Sequence, residues 1–355
     1  MATISFNNKN PLFFNSLKEK IEVYFQTRNL SKTGNWRAYL KAAVCLSTAV
    51  ILYVLLVVVQ PSAAWSLLIC ALLGFNLAVI GFNVMHDGAH GSFSSRKWVN
   101  NLMGFSLNIM GGNAYIWKAK HNLNHHSFTN IEGMDDDIDI RPWIRTNENQ
   151  PHSWYHRFQH IYCLFLYGMT YLIWVYQKDF VKYFTRKIAD TQYHKMSLSE
   201  HFIFWLSKLG YLCFFVVLPA VKLGFLETLL GYAVLSFFCG MTLSIVFQLA
   251  HIVEHTSFPL PDENTNKIPQ EWALHQIATT ANFATRSKLV SWFVGGLNFQ
   301  IEHHLFPKIS HIHYPAISEL VKETCLEFNV KYIEIPTLFG AVRSHLHYLK
   351  RAGMK

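Results

Sequence analysis

Charge is what this chain has least of. Only 15 % of its 355 residues are Asp, Glu, Lys or Arg, while 51 % are hydrophobic; a soluble domain carries about 25 % charged residues. An ordinary soluble globule is excluded and a membrane protein is expected. The six cysteines, at 45, 70, 163, 213, 239 and 325, include no Cys-x-x-Cys pair, so neither a disulfide framework nor a zinc ribbon is implied. Five of them lie in apolar stretches, where a free thiol behaves as a small hydrophobe. No Glu is followed three residues later by His, which excludes a ferritin-like carboxylate bundle. Internal repeats and low-complexity tracts are missing too. The first forty residues are polar and basic, so no cleavable signal is expected. The net charge of +9 is spread without aromatic interleaving, so it is read as attraction to anionic lipid headgroups, with no nucleic-acid partner.

Long apolar runs are what the chain does have. About 20 helical residues cross a hydrocarbon core of roughly 30 Å, and Ala42 to Val59 and Ala63 to Met85 both reach that range. Only Gln60-Pro61-Ser62 separates them. Phe202 to Val221 and Phe225 to Ala250 form a second such pair around a turn near Lys222. Each pair predicts an antiparallel hairpin. Val99 to Gly112 and Ile161 to Tyr176 are shorter and read as interfacial or re-entrant pieces. Between Leu12 and Phe25, apolar side chains at 13, 14, 17, 21, 24 and 25 predict an amphipathic helix. It lies on the membrane surface or buries its face against the protein's own cytosolic part. Beyond Thr256 no run is long enough to cross, and helices around 315–328 and 337–351 predict a cytosolic helical cap. Lys and Arg number seven before the first run, twelve from 86 to 200 and ten from 251, against one, Lys222, in the hairpin turns. The positive-inside rule then places both termini and the central loop in the cytoplasm. The expected fold is all-α, integral and multi-pass, with four transmembrane helices in two hairpins.

Histidines gather where those runs end. His86 and His90 close the second run, His121, His125 and His126 follow the short apolar piece, and His251 and His255 follow the fourth run. The last set is Gln300-Ile-Glu-His303-His304, in which Gln300 occupies the place of a third ligand on one helical face. At 100° per residue, 121 and 125 share a face and 126 is turned further round. Neutral imidazole ligates iron, zinc, copper and nickel alike, and so many rings on one membrane face exceed what a single ion needs. Two metal ions are expected. The acidic run Asp135, Asp136, Asp137 and Asp139 reads as a solvated turn, or as partners for histidine N–H groups.

Three of these stretches, His86-Asp-Gly-Ala-His90, His121-Asn-Leu-Asn-His125-His126 and Gln300-Ile-Glu-His303-His304, resemble the histidine boxes of the integral-membrane fatty acid desaturases. The flanks Gly295-Gly-Leu-Asn-Phe-Gln-Ile-Glu-His-His-Leu-Phe-Pro307 and Thr129-Asn130 resemble the front-end, delta-6-like branch. The resemblance implies a non-haem di-iron centre that uses O2 and two electrons to remove two hydrogens from an acyl chain, carried on CoA or in a lipid, leaving a cis double bond. By position it implies His86, His90, His121, His125, His126, His303 and His304 as catalytic ligands and His251 as a further one. Gln300 and His255 are candidate additional cofactor contacts. Residues 1–41 would be a cytosolic amphipathic segment, 42–255 the membrane core and 256–355 the cytosolic portion, with one desaturase domain over about 40–330. No His-Pro-Gly-Gly motif of a haem-binding domain occurs, so a separate ferredoxin or cytochrome is the expected electron donor. Two alternatives use the same features: a membrane hydroxylase or ketolase, and a metal transporter with cytosolic histidine sites. Transporters place their sites at the bilayer midplane on broken helices, whereas these histidines stand at run ends.

Overall fold

Every long apolar run is helical in the computed structural model, which describes residues 4–354. The principal helices, in chain order, are α1 (Leu12–Thr27), α2 (Trp36–Val59), α3 (Ala63–His90), α4 (Lys97–Ile109), α5 (Ala114–Lys118), α6 (Trp154–Thr185) and α7 (Leu198–Leu223). They continue with α8 (Phe225–His251), α9 (Trp272–Thr279), α10 (Lys288–Phe293), α11 (Gln300–Leu305), α12 (Tyr314–Glu327) and α13 (Leu338–Met354). Extended pairing among the described residues is confined to three ladders of two residues. Ser5–Phe6 runs parallel to Lys267–Ile268, Lys187–Ile188 antiparallel to Thr191–Gln192, and Asn282–Phe283 parallel to Glu334–Ile335.

Among the described residues, five helices, α2, α3, α6, α7 and α8, are long and apolar enough to cross a membrane. The sequence predicts four runs of that length, and α6 is the correction. Ile161 to Tyr176 is no short piece but the middle of a continuous helix of 32 residues. Its ends carry Gln159, Asp179 and Lys182, polar side chains that the fold buries and that a hydropathy reading counts as flank. By contrast α4 has 13 residues, about 20 Å of helix, and is too short to span.

The chain divides into two compact units. The first holds residues 35–119 and 162–246, and with them most of the long apolar helices. Small residues let these helices approach closely: a Cβ on Gly240 of α8 would stand 2.7 Å from the Gly168 carbonyl oxygen of α6, the packing device of membrane helices. Large side chains such as Val50, Val58, Phe165, Phe214 and Val221 are exposed, as a lipid-facing surface requires. Inside, Lys208 of α7 donates to Asp179 Oδ2 at 2.8 Å and to the carbonyls of Gly111 at 2.6 Å and Val175 at 2.9 Å. Trp174 Nε1 donates to the other oxygen of Asp179 at 3.0 Å, so the buried ion pair is fully hydrogen-bonded, the condition under which one is tolerated.

The second unit holds residues 1–34, 120–161 and 247–355. Its core joins Phe13, Leu17, Ile21 and Phe25 of α1 to Ile277 of α9, Ile301 of α11 and Ile317 and Val321 of α12. Of the two placements open to the amphipathic α1, the structure has the apolar face buried within the protein. Each such side chain contributes about 1.5–3 kcal/mol on burial, so α1 fastens α9, α11 and α12 together. Arg145 donates to the carbonyls of Glu148, Gln150 and Ala352 at 2.7 Å each, which pins the end of α13.

Candidate metal centre

In the first unit, His86 and His90 lie one turn apart at the end of α3, with ring centroids 4.6 Å from each other. A widened turn over Gly81–Met85 precedes them and Gly91, at φ +77°, ends the helix. The Trp117 indole stands edge-on to both rings, at 5.8 and 6.0 Å.

The second unit holds the other predicted histidines. From Ala119 to His125 the helix widens to π-type geometry, and the His126 N–H donates to the His121 carbonyl at 3.1 Å. That bond spans five residues, so His126 comes closer to the face of His121 than the 100° step of a regular helix would bring it. His121 lies 5.0 Å from His125 and 4.8 Å from His126, ring centre to ring centre. Such wide turns recur at functional sites. Against them stands α11, wholly buried: His126 is 4.6 Å from His303 and 4.4 Å from His304. His251, the last residue of α8, is 4.7 Å from His125 and 5.0 Å from His304. One ring nitrogen from each of His125, His251 and His304 lies within 4.8 Å of the others, as do ligand atoms of His121, His125 and Asp137.

The outer nitrogens of these rings are held by other side chains. His121 Nδ1 meets Asp137 Oδ2 at 2.8 Å, and His125 Nδ1 meets both Asp135 oxygens at 3.0 and 2.9 Å. His303 Nδ1 meets the Tyr314 hydroxyl at 3.0 Å, and His304 Nδ1 meets Gln276 Oε1 at 2.8 Å. Two members of the acidic run, Asp135 and Asp137, are therefore histidine partners, while Asp139 pairs with Arg141 nearer the surface. Burial pushes the Asp137 carboxyl up, but Lys120, His121 and His125 outweigh it and hold the group well below the usual carboxylate range. Burial likewise drives His121 and His304 well below the ordinary imidazole value. At His125 burial is overcome by the Asp135 charge and hydrogen bond, and the net shift is upward.

These residues fit a metal. Nδ1 of His125 and of His304 is anchored, which leaves Nε2 as the ligating atom, and both Nε2 atoms are buried without a hydrogen-bond partner. A bare buried nitrogen costs about 1–3 kcal/mol, a penalty that a bound cation removes. Gln300 is buried, with Nε2 3.1 Å from His251 Nε2 and Oε1 unpartnered, so it belongs to the cluster. His255 does not: α8 ends at His251, and His255 is exposed at φ +80° in the following turn. The helical spacing that would align 251 with 255 is broken there.

Sequence reasoning gave no role to Gln276, Tyr314 or Asn282. Asn282 Oδ1 accepts the Ile301 N–H at 2.9 Å, and its Nδ2 donates at 2.7 Å to Glu302, which also accepts from Tyr332 at 2.8 Å. Burial pushes Glu302 up to about 7. The network fixes the start of α11, yet nothing in the spacing of residues 276, 282 and 314 marks it.

The family model described as fatty acid desaturase matches residues 60–336. The chain is 37 % identical to the acyl-lipid (8-3)-desaturase of Physcomitrium patens, over 99 % of this chain and 74 % of that protein. It is 36 % identical to the sn-1 linoleoyl-lipid 6-desaturase of Arthrospira platensis, over 96 % and 92 % of the two chains. With the sn-1 linoleoyl-lipid 6-desaturase of Synechocystis sp. the identity is 34 %, over 95 % and 94 %.

Proposed function

Because this chain belongs to the fatty acid desaturase family, we propose that it places its cis double bond on the carboxyl side of an existing one, in an acyl chain carried by a membrane lipid. The names of its relatives support both the lipid carrier and the front-end position. They also favour hydrogen removal over oxygen insertion. We assign His86, His90, His121, His125, His126, His251, His303 and His304 as the ligands of two irons, with Gln300 beside them. When bound, the irons supply O2 activation: O2, two electrons, two protons and two acyl hydrogens give the double bond and two waters. The chain's own residues orient the rings. Asp135, Asp137, Tyr314 and Gln276 hold the Nδ1 side of His125, His121, His303 and His304, so that Nε2 is the atom presented to metal. The observation that carries this reading is the buried, unpartnered Nε2 of His125 and of His304.

The electron donor is a separate ferredoxin or cytochrome that docks on the basic cytosolic face. The basic residues of the three large segments favour the cytoplasmic side for both termini and the central loop, and α2 with α3 and α7 with α8 form the two hairpins. One desaturase domain extends over about 40–330. Expression in cells fed linoleate, with gas chromatography of their lipids and iron analysis of the purified protein, tests the activity. A new polyunsaturated acid, absent with His303→Ala/His304→Ala, is expected, with about two irons per chain that the variant loses. Full activity and iron in the variant would overturn the ligand assignment.

A further inference from the structure

Thr129 and Asn130 follow the second histidine stretch, and no role in the reaction accounts for them. Asn130 has φ +58°, a left-handed conformation that Asn adopts more readily than most residues. Its side-chain Nδ2 lies 3.2 Å from the His251 carbonyl, 3.1 Å from that of Ser257 and 3.2 Å from that of Thr279. His251 and Thr279 are the last residues of α8 and α9, where helix carbonyls have no partner within the helix. One amide thus gathers the ends of the helices that carry His251 and Gln276. An oxygen at that place would face three carbonyl oxygens, so only a nitrogen fits. The Asn130 backbone N–H donates to Asp135 Oδ2 at 2.9 Å, on the carboxylate that holds His125.

Thr129 completes the arrangement. Its hydroxyl is 2.7 Å from the His125 carbonyl, 2.8 Å from Gln276 Oε1 and 3.2 Å from His304 Nδ1. The hydroxyl has one hydrogen to donate, to the carbonyl or to Gln276, and lone pairs to receive the His304 N–H. Both side chains are at most 1 % exposed, so water does not replace these bonds.

We propose that Thr129 and Asn130 are positioning residues that set His125, His251 and His304 as one three-imidazole face from three separate parts of the chain. The inference rests on the iron reading above and deepens it.

The test compares Thr129→Val, Thr129→Ser and Asn130→Asp with the wild-type holoenzyme, by iron per chain during graded chelator challenge and by Mössbauer spectroscopy. Val keeps the shape of Thr and removes the hydroxyl. Iron retention is expected to weaken roughly 10–100-fold in Thr129→Val, with an altered iron quadrupole splitting, a lower kcat and an unchanged KM. Thr129→Ser is expected to restore the wild-type spectrum. Asn130→Asp is expected to lose iron outright, and if it does not fold, Thr129→Val decides alone. Wild-type iron retention and spectrum in Thr129→Val overturn the inference, whatever the variant's heat stability. A wild-type protein that holds no iron overturns the ligand reading first, and the inference with it.

Discussion

Replacing Asp135 by Asn changes one atom in the middle of the histidine cluster, and the structure states what that atom does. The carboxylate is fully buried. It accepts from His125 Nδ1 through both oxygens, from the Asn130 N–H at 2.9 Å and from the Asp137 N–H at 3.0 Å. Asn retains a single acceptor oxygen. Its NH2 must replace one of the two oxygens, and at either place it meets a backbone N–H head-on. One buried donor is then unpaired, at a cost of about 1–3 kcal/mol, and His125 loses its charged partner. The first effect weakens the fold whether or not metal is bound. The second acts on the ligand itself, by lowering the basicity of the ring and loosening its orientation, and costs roughly 10–100-fold in metal affinity.

The two effects separate in the assay. Purified Asp135→Asn is equilibrated with graded ferrous iron and its bound iron compared with wild type and with Asp139→Asn, whose carboxylate pairs with Arg141 on an exposed loop. Asp135→Asn is expected to need 10–100-fold more iron for half occupancy, and Asp139→Asn to match wild type. Half occupancy within twofold of wild type would refute the argument that Asp135 acts through His125, even if the variant melted at a lower temperature.

Two further outcomes follow from buried groups outside the cluster. Lys208→Met leaves the Asp179 carboxylate buried without its cation, a loss of about 3–5 kcal/mol. Lys208→Met/Asp179→Asn is expected to recover most of that loss but not all, because Lys208 also holds two carbonyls; thermal unfolding in detergent reads both, and an equal loss in single and double variants would contradict the ion-pair argument. His345 on α13 meets the Ile252 carbonyl at 2.6 Å, and burial lowers its pKa to about 4. The unfolded chain takes up this proton near the ordinary imidazole value of about 6.5, so stability is complete above that pH and falls by roughly 3 kcal/mol as pH drops toward 4. A flatter melting curve against pH in His345→Gln checks this, and a slope identical to wild type would assign the acid sensitivity elsewhere.

How far the sequence could be read depends on whether a feature is carried along one helix or across several. His86 with His90, and Gln300 with His303 and His304, are helical neighbours, and helical spacing recovers them. The amphipathic face of α1 is equally local, yet its pattern could not say whether lipid or protein covers it, since Leu17 is apolar toward either. Where the backbone leaves ideal geometry, spacing is a partial guide: the widened turn over Ala119–His125 brings His126 nearer to His121 than a regular helix would, and the end of α8 leaves His255 outside the cluster. The length of α6 is hidden for a related reason, because Asp179 is satisfied by Lys208 from another helix and so need not end its own. The partners of His304 lie 28 residues back in Gln276 and 175 back in Thr129. Separation of that order sets no angle that spacing could report, only a loop to be closed. A short polar pair such as Thr129-Asn130 can therefore have an identity fixed by five other segments, while its own neighbours in the chain suggest nothing but a turn.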